Sequence, residues 1–204
     1  MTLVVCVGTA TEVGKTYVGA ATLSALRASG RSVAARKPVQ SFAADDAGPT
    51  DADVLAAATG EHPQEVCLGH RWYPLAMAPP MAAALLERDE FTITDLVDEL
   101  RLPEAEVQWV ETVGGVWSPI AFDGDSIDIC DRLQPDLVVL VADAGLGTIN
   151  AVRLSAAPLG QSVIVLLNHY DDADELHQLN RAWLTDRDGF DIVVHPDELC
   201  ARLR

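Results

Sequence analysis

Residues 3–16 read LVVCVGTATEVGKT, and they contain the clearest structural signal in the chain. The first five form a continuous apolar run rich in β-branched side chains, which predicts a strand buried on both faces. Gly8 and Gly14 bound the loop that follows, and Lys15-Thr16 begin a segment with helical periodicity. A strand, a glycine-bounded loop and a helix in this order predict a loop that binds phosphate.

The loop contains the groups that bind a nucleoside triphosphate. Backbone N–H groups of the loop and of the helix N-terminus would surround phosphate oxygens. Lys15 would place a compact positive charge on the β- and γ-phosphates, and the Thr16 hydroxyl would ligate Mg²⁺. Five residues separate the two glycines, where four are usual, so the alternative is a strand–helix turn with a chance Gly-Lys-Thr. Partitioning-type ATPases carry a further lysine early in the loop, where this chain has Ala10, and that class is therefore disfavoured.

Predicted strands and helices alternate along the rest of the chain. We expect strands at residues 32–35, 107–111, 137–142, 162–167 and 192–194, and helices at 16–29, 51–59, 94–100, from about 148, at 176–184 and from 195 to 204. The alternation predicts an α/β fold with a mostly parallel sheet and helices on both faces. Together with the phosphate loop it predicts a single domain of the P-loop NTPase type over residues 1–204. Its ligands would bind beyond the carboxyl ends of the strands.

Composition narrows the class of protein. The 14 Lys and Arg residues against 31 Asp and Glu give a net charge of −17, which argues against nucleic acids and membrane surfaces as partners. The longest apolar run, residues 137–142, is too short to span a bilayer. The four cysteines are far apart and the N-terminus has no signal-peptide pattern, so we expect a cytoplasmic protein with reduced thiols.

Only two of the 14 basic residues are lysines, Lys15 and Lys37, and the other 12 are arginines. Pro38 keeps Lys37 extended at the end of the second predicted strand, on the edge of the sheet where ligands bind. A lysine there can stabilise the charge on a transferred phosphoryl group or on a carbamate. The alternative is a solvated surface lysine, which is disfavoured because the chain uses arginine at its other basic positions.

Acidic residues at strand and helix ends are candidate metal ligands. Glu111 ends a strand directly before a short segment that contains a glycine pair, which permits close approach of the backbone to a ligand. Asp51 begins a predicted helix, where it could also be the N-cap, and Asp53 is the rival ligand. Asp143 ends the strongest predicted strand. It is either a Walker-B-type acid or a residue of the glycine-rich turn that follows.

These motifs together resemble those of the dethiobiotin synthetase family, ATP-dependent carboxylases of biotin synthesis. The matching segments, between residue 3 and about residue 170, are Gly8-Thr9-Ala10-Thr11-Glu12-Val13-Gly14-Lys15-Thr16, Lys37-Pro38-Val39 with Ser41, Asp51-Ala52, Tyr73-Pro74 with Met77-Ala78-Pro79, Glu111 with Gly114-Gly115 and Pro119, and Leu146-Gly147-Thr148-Ile149-Asn150. The phosphate loop followed by a strand end of Lys-Pro-Val is typical of that family.

The resemblance implies a role for each matched residue. Mg²⁺ would be held by Thr16, Asp51 and Glu111. The ATP phosphates would lie against Glu12, Val13, Gly14, Lys15 and Thr16, and the adenine against Asn168 and Pro196. The diamine end of 7,8-diaminononanoate would contact Thr11, Lys37, Ser41 and Gly114, with Lys37, Lys15 and Thr11 as the catalytic residues. The substrate carboxylate would bind to Gly147, Thr148, Ile149 and Asn150, supplied by the partner subunit of a homodimer.

The implied reaction is carboxylation followed by ring closure. CO₂ adds to one amine to form a carbamate, the carbamate attacks the γ-phosphate of ATP, and the second amine closes the ring and expels phosphate. The lysines and Mg²⁺ would offset the negative charge of the phosphates and the carbamate, so catalysis is mainly positioning and electrostatics. No covalent protein nucleophile is needed, and the sequence has no obvious Ser/His or Cys/His arrangement.

The chain departs from the family pattern in three places. Thr112-Val113 stand where the family usually has Gly-Ala beside the metal-binding acid, Ala151 stands where a histidine commonly follows Ile-Asn, and the chain is short after Asn168. Two alternatives to the ligase remain, and the departure at Thr112-Val113 is the reason for the first of them. One is a divergent paralogue that binds nucleotide without this activity, and the other is a P-loop regulatory ATPase that controls a partner.

Overall fold

The computed structural model describes residues 1–160 and 163–203, so the expected start of a strand at Ser162 and the chain end at Arg204 lie outside the described residues. Within them the strands are β1 (Thr2–Gly8), β2 (Val33–Arg36), β3 (Gln40–Ser41), β4 (Trp72–Tyr73), β5 (Val107–Glu111), β6 (Leu137–Asp143), β7 (Val163–Asn168) and β8 (Asp191–Val193). The helices are α1 (Lys15–Ala28), α2 (Asp51–Thr59), α3 (Pro63–Val66), α4 (Pro79–Leu85), α5 (Ile93–Glu99), α6 (Ser126–Leu133), α7 (Thr148–Ala156), α8 (Glu175–Asp186) and α9 (Pro196–Arg202).

Six strands form one sheet in the order β2-β5-β1-β6-β7-β8, and each neighbouring pair in it is parallel. The predicted α/β fold with a mostly parallel sheet is therefore confirmed. In the register, Cys6 of β1 lies level with Glu111 of β5, and Asp143 of β6 lies level with Asn168 of β7. The carboxyl ends of the strands thus meet at one edge, which is where ligands bind in folds of this kind.

Helices cover both faces of the sheet, as the sequence predicted. On the central strand β1, Val4 and Cys6 point into a core shared with α1, α2 and α9. Val5 and Val7 point into a second core, shared with α6, α7 and α8. Because successive side chains of a strand point to opposite faces, the continuous apolar run of β1 buries itself on both sides.

The chain between β2 and β5 was only partly predicted. It contains β3 and β4, which form a separate two-stranded parallel pair, and helices α3 and α4, none of which was predicted. A third core, with Tyr73, Phe91 and Leu96 buried in it, holds this region together. Helix α6 was also missed, although Asp125 and Asp128 form a capping box at its start.

The remaining elements agree with the predictions to within about two residues at their ends. Helix α2 and strand β5 have the predicted bounds, residues 51–59 and 107–111. All four cysteines are buried thiols. In the described part of the chain, no helix is both long and apolar enough to cross a membrane.

Candidate active site

The phosphate loop joins β1 to α1 in the middle of the carboxyl edge of the sheet. Gly14 is the N-cap of α1 with a left-handed backbone at φ 91°, and no side chain caps this helix end. The first N–H groups of α1 can therefore bind an anion, which the helix dipole also favours. Glu12 has a left-handed backbone too, at φ 62°. This conformation costs energy in a non-glycine residue, so the surrounding contacts must hold the loop in shape.

The Lys15 ammonium reaches back across the loop. Its Nζ donates hydrogen bonds to the carbonyl oxygens of Ala10 at 3.1 Å and Gly114 at 2.7 Å. Gly8 lies against it, because a Cβ there would come within 2.9 Å of Nζ. Burial, and after it the charge of Lys37, lowers the pKa of Lys15. Both acceptors are neutral, so a phosphate oxygen would be a stronger partner for this ammonium.

Lys37 is buried, with 2% of its surface exposed, and it lies between two carboxylates. Its Nζ is 2.8 Å from Glu111 Oε1 and 2.8 Å from Asp51 Oδ2. Burial alone would lower the pKa of Lys37, but the charges of Glu111 and Asp51 outweigh it and raise the pKa above its ordinary value. Burial likewise opposes ionisation of Asp51, and the ammonium outweighs it and lowers the pKa of that carboxyl. Lys37 is thus a fixed internal positive charge rather than a solvated lysine.

The Thr16 hydroxyl lies between the same two carboxylates. Its Oγ1 is 2.7 Å from Asp51 Oδ1 and 2.7 Å from Glu111 Oε1. A hydroxyl has one proton, so it can donate to only one of them, and the other oxygen–oxygen contact has no proton between the atoms. Glu111 Oε2 is also buried and has no hydrogen-bond partner among the residues that the structure describes. These oxygens fit Mg²⁺, which binds one or two carboxylates together with phosphate and water.

The structure distinguishes the two acids at the start of α2. Thr50 is the N-cap: its Oγ1 accepts from the N–H of Asp53 at 3.3 Å, and Asp53 Oδ2 accepts from the N–H of Thr50 at 2.8 Å. The prediction that Asp51 is the N-cap is therefore wrong. Asp51 is the first helical residue and faces Thr16 and Lys37, whereas the carboxylate of Asp53 belongs to the capping box.

The β-branched pair after Glu111 does not project into the site. Thr112 is wholly buried, and both its N–H and its hydroxyl donate to the Cys6 carbonyl oxygen of β1, at 3.0 and 3.2 Å. Val113 packs on the third core. Gly115 provides the close approach to the phosphate loop, because a Cβ there would come within 2.9 Å of the Thr9 carbonyl oxygen.

Two of the predicted diamine-binding residues lie side by side. A Cβ on Gly114 would be 3.9 Å from Thr11 Oγ1, and the Gly114 carbonyl also holds Lys15. Ser41 lies in β3, where its hydroxyl donates to the Met77 carbonyl oxygen at 2.6 Å. The structure therefore brings Thr11, Gly114 and Lys15 together, while the Ser41 hydroxyl proton already has an acceptor.

A second group of polar side chains lies where β6 and β7 end. Asn168 Nδ2 donates to the carbonyl oxygen of Val13 at 3.0 Å and lies 3.2 Å from His169 Nε2. His169 Nδ1 in turn lies 2.9 Å from Asp143 Oδ2. Gly14 permits this approach, because a Cβ there would collide with the Asn168 amide. Asn168 therefore contacts the phosphate loop directly.

The sequence leaves two roles open for Asp143, a Walker-B-type acid or a turn residue, and the structure supports the turn residue. Its Oδ1 accepts from the N–H of Gly145 at 2.8 Å, and the hydrogen bond from His169 lowers the pKa of its carboxyl. Both partners belong to the exposed end of β6 and β7 rather than to the phosphate loop. His169 was not singled out from the sequence; its place directly after Asn168 at a strand end is the signal that could have identified it.

The other predicted residues lie at the starts of two helices. Gly147 is the N-cap of α7 with φ 94° and no side-chain cap, and Thr148, Ile149 and Asn150 form the first turn. Pro196 is the first residue of α9, just beyond β8. In the part of the chain that the structure describes, no hydrogen bond or ion pair connects either helix start to Lys37.

Comparison with known proteins gives close relatives by sequence. Residues 2–182 match a family model described as an AAA domain. The chain is 32% identical over 198 residues to the ATP-dependent dethiobiotin synthetase BioD of Caulobacter sp. strain K31, covering 93% of this chain and 85% of the relative. It is 34% identical over 211 residues to the protein of the same name from Anaeromyxobacter sp. strain Fw109-5. This match covers 97% of this chain and 92% of the relative.

Solved structures share the fold at low sequence identity. Chloroplast FtsY from Physcomitrella patens has a TM-score of 0.51 at 16% identity, covering 94% of this chain and 57% of that one. The septum site-determining protein MinD of Pyrococcus horikoshii OT3, complexed with Mg-ADP, has a TM-score of 0.50 at 17% identity. This match covers 95% of this chain and 79% of that one. These similarities show the fold alone, and they agree with the predicted α/β fold with a mostly parallel sheet.

Proposed function

The chain belongs to the dethiobiotin synthetase family, and from this premise we propose that it catalyses the ATP-dependent carboxylation and ring closure of 7,8-diaminononanoate with CO₂. The products are dethiobiotin, ADP and phosphate, and the enzyme is a C–N bond-forming ligase of biotin biosynthesis. A cytoplasmic location is part of the proposal, supported by the four buried thiols.

The observation that carries the proposal is that Asp51 and Glu111 contact both Lys37 and the Thr16 hydroxyl beside the phosphate loop. Lys37 has only 2% of its surface exposed, and an ammonium buried this deeply needs its two carboxylate partners. Such a costly arrangement is expected where it serves a reaction, and perturbed ionisable groups in a cleft are candidates for a functional site.

Thr16, Asp51 and Glu111 would hold Mg²⁺, which when bound neutralises phosphate charge and orients the transferred group. Lys15 would exchange its two carbonyl partners for phosphate oxygens. The loop from Glu12 to Thr16 would surround the phosphates with backbone N–H groups. Because its pKa is raised, Lys37 stays protonated and provides a fixed charge for the carbamate and the transferred phosphoryl group rather than acting as a base.

The diamine would bind next to Lys37, in contact with Thr11, Ser41 and Gly114. The adjacency of Thr11 and Gly114 supports this placement. The substrate carboxylate would bind at the start of α7 of the partner subunit, at Gly147, Thr148, Ile149 and Asn150, in a homodimer. The missing side-chain cap of α7 supports that assignment, because its first N–H groups can bind an anion.

Adenine would be recognised by Asn168, with Pro196 beside it. The contact of Asn168 with the Val13 carbonyl supports this, since it fixes the amide next to the loop that would hold the phosphates. The departure from the family pattern at Thr112-Val113 weighs little against the proposal, because Thr112 is buried and bonded to β1 and Val113 packs on the third core.

The test is phosphate release from ATP by the purified protein, measured with and without the diamine and bicarbonate. We expect release that requires both compounds, with dethiobiotin formed in equal amount. ATP hydrolysis at the same rate without the diamine would contradict the proposal and favour a regulatory ATPase. Nucleotide binding with no turnover, together with failure to rescue a biotin auxotroph that lacks the synthetase, would favour the inactive paralogue.

A separate experiment tests whether each active site is shared between two subunits. It mixes two variants that are each expected to be inactive, Lys37→Ala and Asn150→Arg. If each site combines Lys37 of one subunit with α7 of the other, a mixed dimer contains one site with neither substitution. We therefore expect activity to return when the two variants are refolded together. No recovery in a mixture shown to contain mixed dimers would overturn the shared site.

A further inference from the structure

The contacts at the ends of β6 and β7 favour one tautomer of the neutral His169 ring. A carboxylate can only accept, so His169 Nδ1, 2.9 Å from Asp143 Oδ2, carries the proton. In the neutral imidazole Nε2 is then an acceptor, and its neighbour at 3.2 Å is the amide nitrogen Nδ2 of Asn168. Asp143 thus holds His169 in the tautomer that can accept from Asn168.

His169 has a left-handed backbone. Its φ of 58° lies in a region that is uncommon outside glycine, although histidine is among the residues that adopt it. In this conformation its ring contacts both the neighbouring Asn168 and Asp143 of β6. A backbone of this kind persists only where the surrounding structure stabilises it.

Both hydrogens of the Asn168 amide are consequently used inside the protein. One goes to the Val13 carbonyl oxygen at 3.0 Å and the other to His169. The reverse orientation of the amide would place Oδ1 against the Val13 oxygen, with no proton between them. In the described residues Oδ1 has no hydrogen-bond partner, so Asn168 presents only an acceptor to a ligand.

We propose that His169, held by Asp143, is a specificity-determining residue for the nucleotide base: it accepts the second hydrogen of the Asn168 amide, so that the amide offers a ligand only the acceptor Oδ1. This rests on the proposed placement of adenine at Asn168. An acceptor in this position binds the 6-amino group of adenine and opposes the 6-oxo group of hypoxanthine or guanine, which is itself an acceptor. His169 acts through Asn168 and is a positioning residue.

The test compares the dissociation constants of ATP and inosine triphosphate, measured by calorimetry with Mg²⁺ present. These nucleotides differ at the purine 6-position, amino in one and oxo in the other. We expect the unmodified protein to prefer ATP by about tenfold and His169→Ala to prefer it by about twofold, the effect of one hydrogen bond. His169→Gln, whose side-chain oxygen can also accept from Asn168, should recover most of the preference.

His70 provides a matched control. Its Nε2 lies 3.1 Å from Glu99 Oε2, and its side chain is 58% exposed, close to the 62% of His169. His70→Ala should leave the ratio of the two dissociation constants unchanged. A merely structural role for His169 predicts instead that both nucleotides weaken equally in His169→Ala.

Asn168→Ala separates the inference from the proposal on which it rests. If Asn168→Ala lowers the preference for ATP and His169→Ala does not, the role of His169 is overturned and the adenine site stands. If neither substitution changes the ratio, or if the unmodified protein binds both nucleotides equally, the adenine placement at Asn168 fails as well. Dependence of phosphate release on the diamine is measured separately, so the ligase proposal does not depend on these results.

Discussion

Two polar clusters at the carboxyl edge of the sheet can be compared: the phosphate corner (Lys15, Thr16, Lys37, Asp51 and Glu111) and the base corner (Asp143, Asn168 and His169). In the phosphate corner Lys37 and Glu111 are buried, at 2% and 0% exposure. In the base corner the side chains of Asp143 and His169 are 57% and 62% exposed.

The difference in burial decides how each cluster responds to change. Removing one partner of a buried ion pair leaves an uncompensated charge and costs about 3–5 kcal/mol, whereas an exposed pair contributes about 0–1 kcal/mol. In the phosphate corner the buried charged groups proposed to act in the reaction therefore also contribute to the stability of the fold. In the base corner Asn168 is buried, but Asp143 and His169 are exposed, so substitutions at these two residues can change recognition with little effect on stability.

Glu111→Gln is expected to have the largest effect. It removes one of the two charges that hold Lys37 and one oxygen of the proposed metal site. We expect turnover to fall by about 1,000-fold. The free energy of unfolding should fall by less than the roughly 3–5 kcal/mol of a fully unpaired buried charge, because Asp51 still pairs with Lys37. Steady-state kinetics and urea unfolding measure the two quantities.

The control for that substitution is Glu99→Gln. Glu99 also pairs with a cation, Arg71, at 2.8 Å, but it is partly exposed and lies outside the phosphate corner. It should leave turnover unchanged and cost less stability. Equal losses of stability in the two variants would contradict the contrast between buried and exposed charges.

Lys37→Arg preserves the charge but changes its shape. A planar guanidinium cannot replace a compact ammonium at 2.8 Å from both Asp51 and Glu111, and the larger side chain overpacks a buried position. We expect about a 100-fold loss of turnover, measured as kcat with saturating ATP and diamine.

The neighbouring residue gives the reverse substitution, Arg36→Lys, as a control. Arg36 is also buried and pairs with Glu61 at 2.6 Å, away from the phosphate corner. Turnover should be unchanged in Arg36→Lys. If Lys37→Arg also retains full turnover, the reaction does not need a compact ammonium at this position.

The sequence predicted the phosphate corner because its groups follow local rules. The phosphate loop is contiguous, and Lys37 and Glu111 each end a strand, so a parallel sheet places them at one edge. The choice between Asp51 and Asp53 could not be made in the same way. It depends on which side of α2 faces the sheet, and two residues along a helix are about 200° apart.

The base corner and the region around β3 and β4 were harder to predict. The ring of His169 reaches Asn168 through a left-handed backbone that no residue pattern around it indicates. Strands β3 and β4 have only two residues each, too short for alternation to identify them. Tertiary packing on the third core determines them instead.

Thr16→Val tests the oxygens of the phosphate corner without removing a charge. It deletes the hydroxyl that lies 2.7 Å from both Asp51 and Glu111. We expect the Mg²⁺ concentration for half-maximal turnover to rise by about tenfold. A Mg²⁺ titration of phosphate release at fixed ATP measures this.

Thr22→Val, on the same helix, is the matched control. The Thr22 hydroxyl is buried and, within residues 1–160 and 163–203, has no hydrogen-bond partner. Replacing it by a methyl group removes an unsatisfied polar atom, so the free energy of unfolding should rise by about 1 kcal/mol with the Mg²⁺ requirement unchanged. An equal rise in the Mg²⁺ requirement of both variants would assign the effect of Thr16→Val to packing in α1 rather than to the lost ligand.

Asp143→Asn is expected to have the smallest effect and to act in the base corner. The pair with His169 is exposed, so the free energy of unfolding should change by less than about 1 kcal/mol. The carboxylate no longer fixes the tautomer of His169, and the preference for ATP over inosine triphosphate should fall by about two- to threefold. Urea unfolding and the two dissociation constants measure these changes. A loss of stability comparable to that of Glu111→Gln would show that burial does not separate the two corners, because an exposed pair would then be as important to the fold as a buried one.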